Sequence, residues 1–106
     1  MRARGIVLTL AIAALPLAAH AESMPLQEQL AAGKALAQAS CSACHVIPGG
    51  ASGGSDSAPT FEKIAATRGD DFLRTFLLKP HGNMPPVDLT NVQIGALIAY
   101  IESLKK

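Results

Sequence analysis

Two cysteines and a neighbouring histidine are the residues of this chain whose types and spacing could do chemistry together. Cys41, Cys44 and His45 belong to the pentapeptide Cys-Ser-Ala-Cys-His. Two thiols at this spacing can reach the two vinyl groups on one side of a porphyrin, and the adjacent imidazole can then reach the iron. The pentapeptide therefore predicts one haem, held by thioether bonds to Cys41 and Cys44, with His45 as an iron ligand.

Other kinds of site also use paired cysteines. A thioredoxin-type C-x-x-C follows a strand in an α/β pattern, whereas a helical pattern precedes Cys41. A zinc ion takes four ligands, and the possible set would be Cys41, Cys44, His45 and His81. However, adjacent residues such as Cys44 and His45 rarely bind the same tetrahedral ion. A disulfide between the two cysteines would close a loop too short to stabilise the fold much. Covalent haem attachment is the preferred interpretation.

A second axial ligand can be sought among the methionines and the remaining histidine. Met84 lies in the segment Gly-Asn-Met-Pro-Pro, where Pro85 and Pro86 stiffen the loop and can hold the sulfur in place. A lone Met is usually core filler, but this loop is otherwise unsuited to burial. Met24 lies at the very start of the first predicted helix, and His81 follows a proline, which favours a surface position. We predict Met84 as the ligand, with His81 as the competitor.

The N-terminal segment has the composition of a secretory signal peptide. Two arginines among the first four residues precede an apolar run over residues 6–19, and the segment Ala-His-Ala that ends at Ala21 resembles a cleavage site. The run is shorter than the ~20 apolar residues of a membrane-spanning helix, although an uncleaved anchor is the alternative. We expect residues 1–21 to be removed during export to the periplasm, leaving residues 22–106 as one domain.

Charge and aromatic content narrow the function classes of that domain. Beyond residue 21 the chain has seven basic and eight acidic side chains, so no basic surface for nucleic acid is predicted. Its aromatic residues are Phe61, Phe72, Phe76 and Tyr100, without any Trp. Chains of this size seldom bury enough side-chain surface by themselves. A large, flat, apolar cofactor would supply the missing core.

Helical patterns lie on both sides of the pentapeptide, and no segment alternates as a strand does. The four helices are predicted over residues 23–39, 61–67, 70–78 and 90–105. Ser23 is the expected N-cap of the first helix, and Thr90 with Gln93 forms a capping-box pair in the last. Glycine, serine and proline predict loops over residues 48–59 and 80–89. We therefore expect an all-α fold.

In these features the sequence resembles the class I cytochrome c family over nearly all of residues 24–105. The matching features are Gly33 eight residues before Cys41, the pentapeptide itself, Ala-Pro-Thr-Phe at 58–61, Met-Pro-Pro at 84–86 and Leu-Ile-Ala-Tyr-Ile at 97–101. The resemblance implies a fold of helices packed around one covalently bound haem. It also implies that Gly33 lets the two terminal helices approach closely beside Tyr100, and that the Pro59 carbonyl accepts a hydrogen bond from the His45 ring.

The predicted ligands point to electron transfer. An iron bound by both His45 and Met84 has no open position for a substrate, and a Met ligand favours the ferrous state. We expect a one-electron carrier that shuttles between redox proteins in the periplasm. The sequence contains no pattern of an acid–base pair or a catalytic triad, so we do not expect an enzyme. Two alternatives remain open: a haem subunit held permanently on a dehydrogenase or oxidase, and a gas-binding or peroxidase-like haem, which would need an open iron.

The first testable prediction concerns processing and attachment. The mature protein should have the mass of residues 22–106 plus one haem, measured by intact mass spectrometry. The haem should stay with the denatured chain in acidified acetone, because thioether bonds are covalent. A mass that includes residues 1–21 would contradict the cleavage, and haem extracted into the acetone would contradict the attachment.

Overall fold

A computed structural model describes residues 13, 24–50, 54–55, 57–80 and 82–106. This part of the chain forms four α-helices and no strand. The helices are α1 (Leu26–Ser40), α2 (Phe61–Thr67), α3 (Asp70–Leu78) and α4 (Asn91–Ser103). The all-α prediction is confirmed. The predicted signal peptide (apart from residue 13), Ser23 and His81 lie outside the described residues.

Local capping explains where two of the helices begin, α2 and α4. Thr60 Oγ1 accepts a hydrogen bond from the Lys63 backbone N–H at 3.1 Å, which caps α2. The predicted capping box of α4 is present, because Thr90 Oγ1 accepts from the Gln93 N–H at 3.2 Å and Gln93 Oε1 accepts from the Thr90 N–H at 2.9 Å. α1 begins later than predicted, at Leu26, with Pro25 in the N-cap position and no side-chain cap.

Helices α1 and α4 cross in direct backbone contact at Gly33. A Cβ atom at this position would lie 2.1 Å from the Ala96 carbonyl oxygen and 2.8 Å from the Tyr100 Cβ, so no side chain fits there. Ala37, one turn further along α1, is completely buried. The crossing thus has the close approach that the family resemblance implies. Tyr100 is also buried, and burial raises the pKa of its phenol, because the phenolate would lose its hydration.

Helix α4 is the centre of the apolar core, because α1, α2 and α3 all pack against it. Its buried residues are Ile94, Ala96, Leu97, Ile98, Tyr100 and Ile101. Each fully buried Ile or Leu side chain stabilises the fold by about 1.5–3 kcal/mol relative to an exposed one. Within the described residues, none of the helices is both long and apolar enough to cross a membrane.

The start of α1 lies outside this core. The helical period puts Leu26 on the same face as Gly33 and Ala37, which predicts burial, but its side chain is 63% exposed. Leu26 precedes the crossing point at Gly33 by seven residues, or about 10 Å of helix. Periodicity identified the correct face of the helix but could not show where along its length α4 crosses.

The second testable prediction concerns the crossing. Gly33→Ala should lower the free energy of unfolding of the haem-loaded protein by about 1–3 kcal/mol, because the methyl group would force α1 and α4 apart. The matched control is Gly95→Ala within α4, where an added Cβ has no atom within 4 Å. That control should stabilise the protein by about 0.5–1 kcal/mol, because alanine favours a helix. Guanidinium unfolding measures both changes, and equal effects would contradict the steric argument.

Candidate functional site

The two cysteines and the histidine of the pentapeptide lie on one turn that directly follows α1. The Cys41 N–H donates to the Ala37 carbonyl at 2.9 Å, which continues the helical bonding. The N–H groups of Cys44 and His45 both donate to the Cys41 carbonyl, at 3.2 Å and 2.9 Å. A single compact stretch of backbone therefore presents two thiols and one imidazole. Both cysteines are free thiols.

The environments of the two thiols differ. Cys41 belongs to the buried apolar cluster of the core, whereas Cys44 is exposed. Burial raises the pKa of the Cys41 thiol, because the thiolate would lose hydration without gaining a charged partner. The turn therefore has one thiol at the edge of the core and one in contact with solvent.

The His45 imidazole is oriented by a backbone carbonyl. Its Nδ1 lies 2.6 Å from the carbonyl oxygen of Pro59. A carbonyl can only accept a hydrogen bond, so Nδ1 must carry the proton, and the lone pair is then on Nε2. This is the tautomer that can bind a metal through Nε2, with the second ring nitrogen held by a hydrogen bond.

Backbone hydrogen bonds bring Pro59 next to His45. The Phe61 N–H donates to the Val46 carbonyl at 3.1 Å, and the Ser55 N–H donates to the Cys44 carbonyl at 2.9 Å. These two bonds hold the described part of the loop against the residues on either side of His45. The Pro59 carbonyl is consequently placed by main-chain contacts and not by a flexible side chain.

Met84 lies in the loop between α3 and α4, on the side of the apolar core. Its side chain is partly buried and packs against the same cluster that contains Cys41, whereas the two prolines after it are exposed. Gly82 has a φ of 78°, a left-handed conformation that glycine adopts readily, at the turn before the methionine. The thioether is thus directed towards apolar surroundings, although its role as an iron ligand stays a prediction.

One contact of the site was missed by the sequence reasoning. The Phe61 ring lies 5.5 Å from the His45 ring, centroid to centroid, at an interplanar angle of 62°. In the sequence, Phe61 is recognisable only as an aromatic residue that follows Pro-Thr and opens a helix. Its position two residues after Pro59 was the available signal, because a residue so close to the carbonyl that holds His45 must also lie near the ring.

These donor groups suit a covalently attached haem better than they suit a zinc ion or a thioredoxin-type redox site. Two free thiols on one turn, an imidazole with its Nε2 lone pair available and a thioether against the core are the groups that haem c uses. Within the part of the chain that the structure describes, no three Cys, His, Asp or Glu side chains come together to hold a metal ion. The described residues also contain no strand before Cys41, as a thioredoxin-type site would require.

The all-α fold and the C-x-x-C-H turn together define a c-type cytochrome. Residues 28–101 match the family described as cytochrome c oxidase, cbb3-type, subunit III. The chain is also 37% identical over 106 residues to cytochrome c-552 of Bradyrhizobium diazoefficiens, a similarity that covers 96% of this chain and 94% of the relative. No solved structure matches the chain. The chain belongs to the c-type cytochrome family, and it is an electron-transfer haem protein rather than an enzyme.

Proposed function

We propose that this protein is a periplasmic one-electron carrier with a single haem c, which shuttles electrons between redox proteins. Cys41 and Cys44 attach the haem, and His45 and Met84 are the axial ligands. The observation that carries this proposal is the turn in which two free thiols adjoin an imidazole whose Nδ1 is already bonded to the Pro59 carbonyl. The haem count is one because the chain has only these two cysteines.

Each residue has a distinct task in this proposal. The Pro59 carbonyl keeps the His45 ring in one tautomer and makes its Nε2 a stronger donor. The Met84 sulfur is a soft ligand that favours the ferrous state and so raises the reduction potential. Haem, when bound, supplies the exchange of one electron at its iron. Because packing holds Met84 and a hydrogen bond holds His45, neither side chain would need to move much during such an exchange.

Export is supported by the N-terminal segment. Its two arginines, apolar run and Ala-His-Ala end have the order of a signal peptide. The similarity to cytochrome c-552 covers 96% of this chain, so it extends into the segment before residue 22. The proposed redox partners are therefore periplasmic proteins or the exposed domains of membrane proteins.

The alternative is a haem subunit bound permanently to an oxidase or dehydrogenase. The matched family favours this alternative in one respect, because its description names a subunit of an oxidase. A permanent subunit would need a stable interface, which for obligate complexes usually buries more than about 2,000 Å² and is strongly apolar. A shuttle needs only transient contacts.

The third testable prediction separates these two functions. Size-exclusion chromatography of the native periplasmic fraction should elute the haem-stained protein at the size of the mature chain alone. Raising the salt concentration should leave that elution position unchanged. Salt disrupts electrostatic complexes, and a chain that already elutes alone has none to lose. Co-elution with a larger redox enzyme at both salt concentrations would overturn the shuttle and support the permanent subunit.

The fourth testable prediction concerns the second ligand. The oxidised protein should show the weak red absorption band of a sulfur–ferric bond. Met84→Ala should abolish that band, lower the reduction potential and let the reduced protein bind carbon monoxide, because the soft thioether is lost.

The matched control is His81→Ala. It should leave the red band, the potential and the carbon monoxide reaction nearly unchanged. If His81→Ala opens the iron while Met84→Ala has no effect, the ligand assignment is wrong, although haem attachment through Cys41 and Cys44 would still stand. Carbon monoxide binding by the unmodified reduced protein would instead support an open, sensor-like or peroxidase-like iron.

A further inference from the structure

The aromatic ring of Phe61 is the second group that holds the His45 imidazole. The two ring centroids are 5.5 Å apart, and the interplanar angle of 62° makes the contact edge-on. Edge-on aromatic contacts have a preferred geometry, because the positive edge of one ring faces the negative face of the other. The contact with Phe61 therefore favours a limited range of orientations for the imidazole ring.

The hydrogen bond from His45 to Pro59 does not by itself define that orientation. A carbonyl oxygen accepts hydrogen bonds over a broad range of directions. The imidazole could therefore swing about the Nδ1···O contact, 2.6 Å long, while keeping the bond. A second contact with the ring restricts this freedom, and the edge-on Phe61 ring provides one.

Phe61 can act in this way because it is itself held rigidly. Its side chain is only 3% exposed, and its backbone N–H donates to the Val46 carbonyl, next to His45 in the chain. It is also the first residue of α2, directly after the Thr60 cap. The ring is thus fixed by burial, by its own main chain and by the start of a helix.

Phe61 also contacts Tyr100, which lies at the crossing of α1 and α4. The Phe61 and Tyr100 ring centroids are 6.4 Å apart at 46°. Tyr100 lies against Gly33, where its Cβ would be 2.8 Å from an added methyl group. An unbroken series of contacts therefore leads from the α1–α4 crossing to the ring of His45.

We infer that Phe61 is a positioning residue that sets the plane of the His45 imidazole. This inference rests on the proposed function, in which His45 binds the haem iron. If His45 binds a haem iron, the orientation of its ring would affect how unpaired electron density spreads over the ferric haem. Phe61 would then influence that spread and the reduction potential through His45. It acts through His45 and does not itself bind the iron.

The fifth testable prediction uses substitutions of Phe61 in the haem-loaded protein. Phe61→Leu keeps an apolar side chain in the core but removes the aromatic edge. It should change the order or spread of the haem-methyl resonances in the proton NMR spectrum of the ferric protein, and it should shift the reduction potential. Phe61→Tyr keeps the ring, and it should restore the wild-type pattern of resonances.

The matched control is Phe72→Leu in α3. Phe72 is 41% exposed, stacks on Phe76 and lies beneath the guanidinium of Arg68, so its ring contacts belong to another part of the surface. This variant makes the same chemical change and should leave the haem-methyl pattern as it is in the wild type. A Phe61→Leu spectrum identical to that of the wild type would overturn the inference, as would equal changes in both variants.

A measurement on the unmodified protein keeps the inference falsifiable if Phe61→Leu does not fold. In the reduced, diamagnetic protein, nuclear Overhauser effects should connect the ring protons of Phe61 and His45, and their absence would refute the contact. Failure of the proposed function would have a different signature. A wild-type protein without covalent haem, or with an iron not bound by His45, refutes that function, whereas intact ligation with unchanged Phe61→Leu spectra refutes only the positioning role.

Discussion

The close contact between α1 and α4 at Gly33 is the constraint on which the rest of the structure depends. Because Gly33 has no side chain, the Ala96 backbone can lie directly against α1. This contact buries α4 against α1, and α2 and α3 pack on its remaining faces. The turn with the two thiols follows α1 directly, and its Cys41 belongs to the same buried cluster as Ala37 of α1.

Aromatic ring contacts connect that crossing to the site, and a hydrogen bond to a main-chain carbonyl also holds the site. Tyr100 contacts Phe61, and Phe61 contacts His45. The carbonyl of Pro59 holds the same imidazole by a hydrogen bond at Nδ1. None of these contacts involves a charged side chain, so they hold the His45 imidazole without placing a formal charge next to it. An imidazole held in this way would suit the proposed electron carrier, because it would move little when an electron arrives or leaves.

Much of the fold could be predicted from the sequence because its signals are local. The predicted bounds of α2 and α3 match the structure. At α3 the signals are Asp70 and Asp71 in its first turn and Pro80 shortly after its end. The capping box at Thr90 is equally local. The start of α1 was predicted less well, since no side-chain cap marks it, and the exposure of Leu26 depends on where another helix crosses.

The sequence by itself determined the chemistry of the site, because two thiols and an imidazole within five residues are brought together by a single turn of backbone. The family resemblance implied that the Pro59 carbonyl holds the imidazole, but only the tertiary structure decided which aromatic ring packs against it. Pro59 lies 14 residues from His45, and the path of the loop between them leaves no periodic pattern in the sequence. The ring contacts of Phe61 with His45 and Tyr100 likewise join segments that are distant in the chain. These ring contacts arise from packing around α4, so helix propensity and periodicity could not reveal them, and the position of Phe61 two residues after Pro59 was the available local signal.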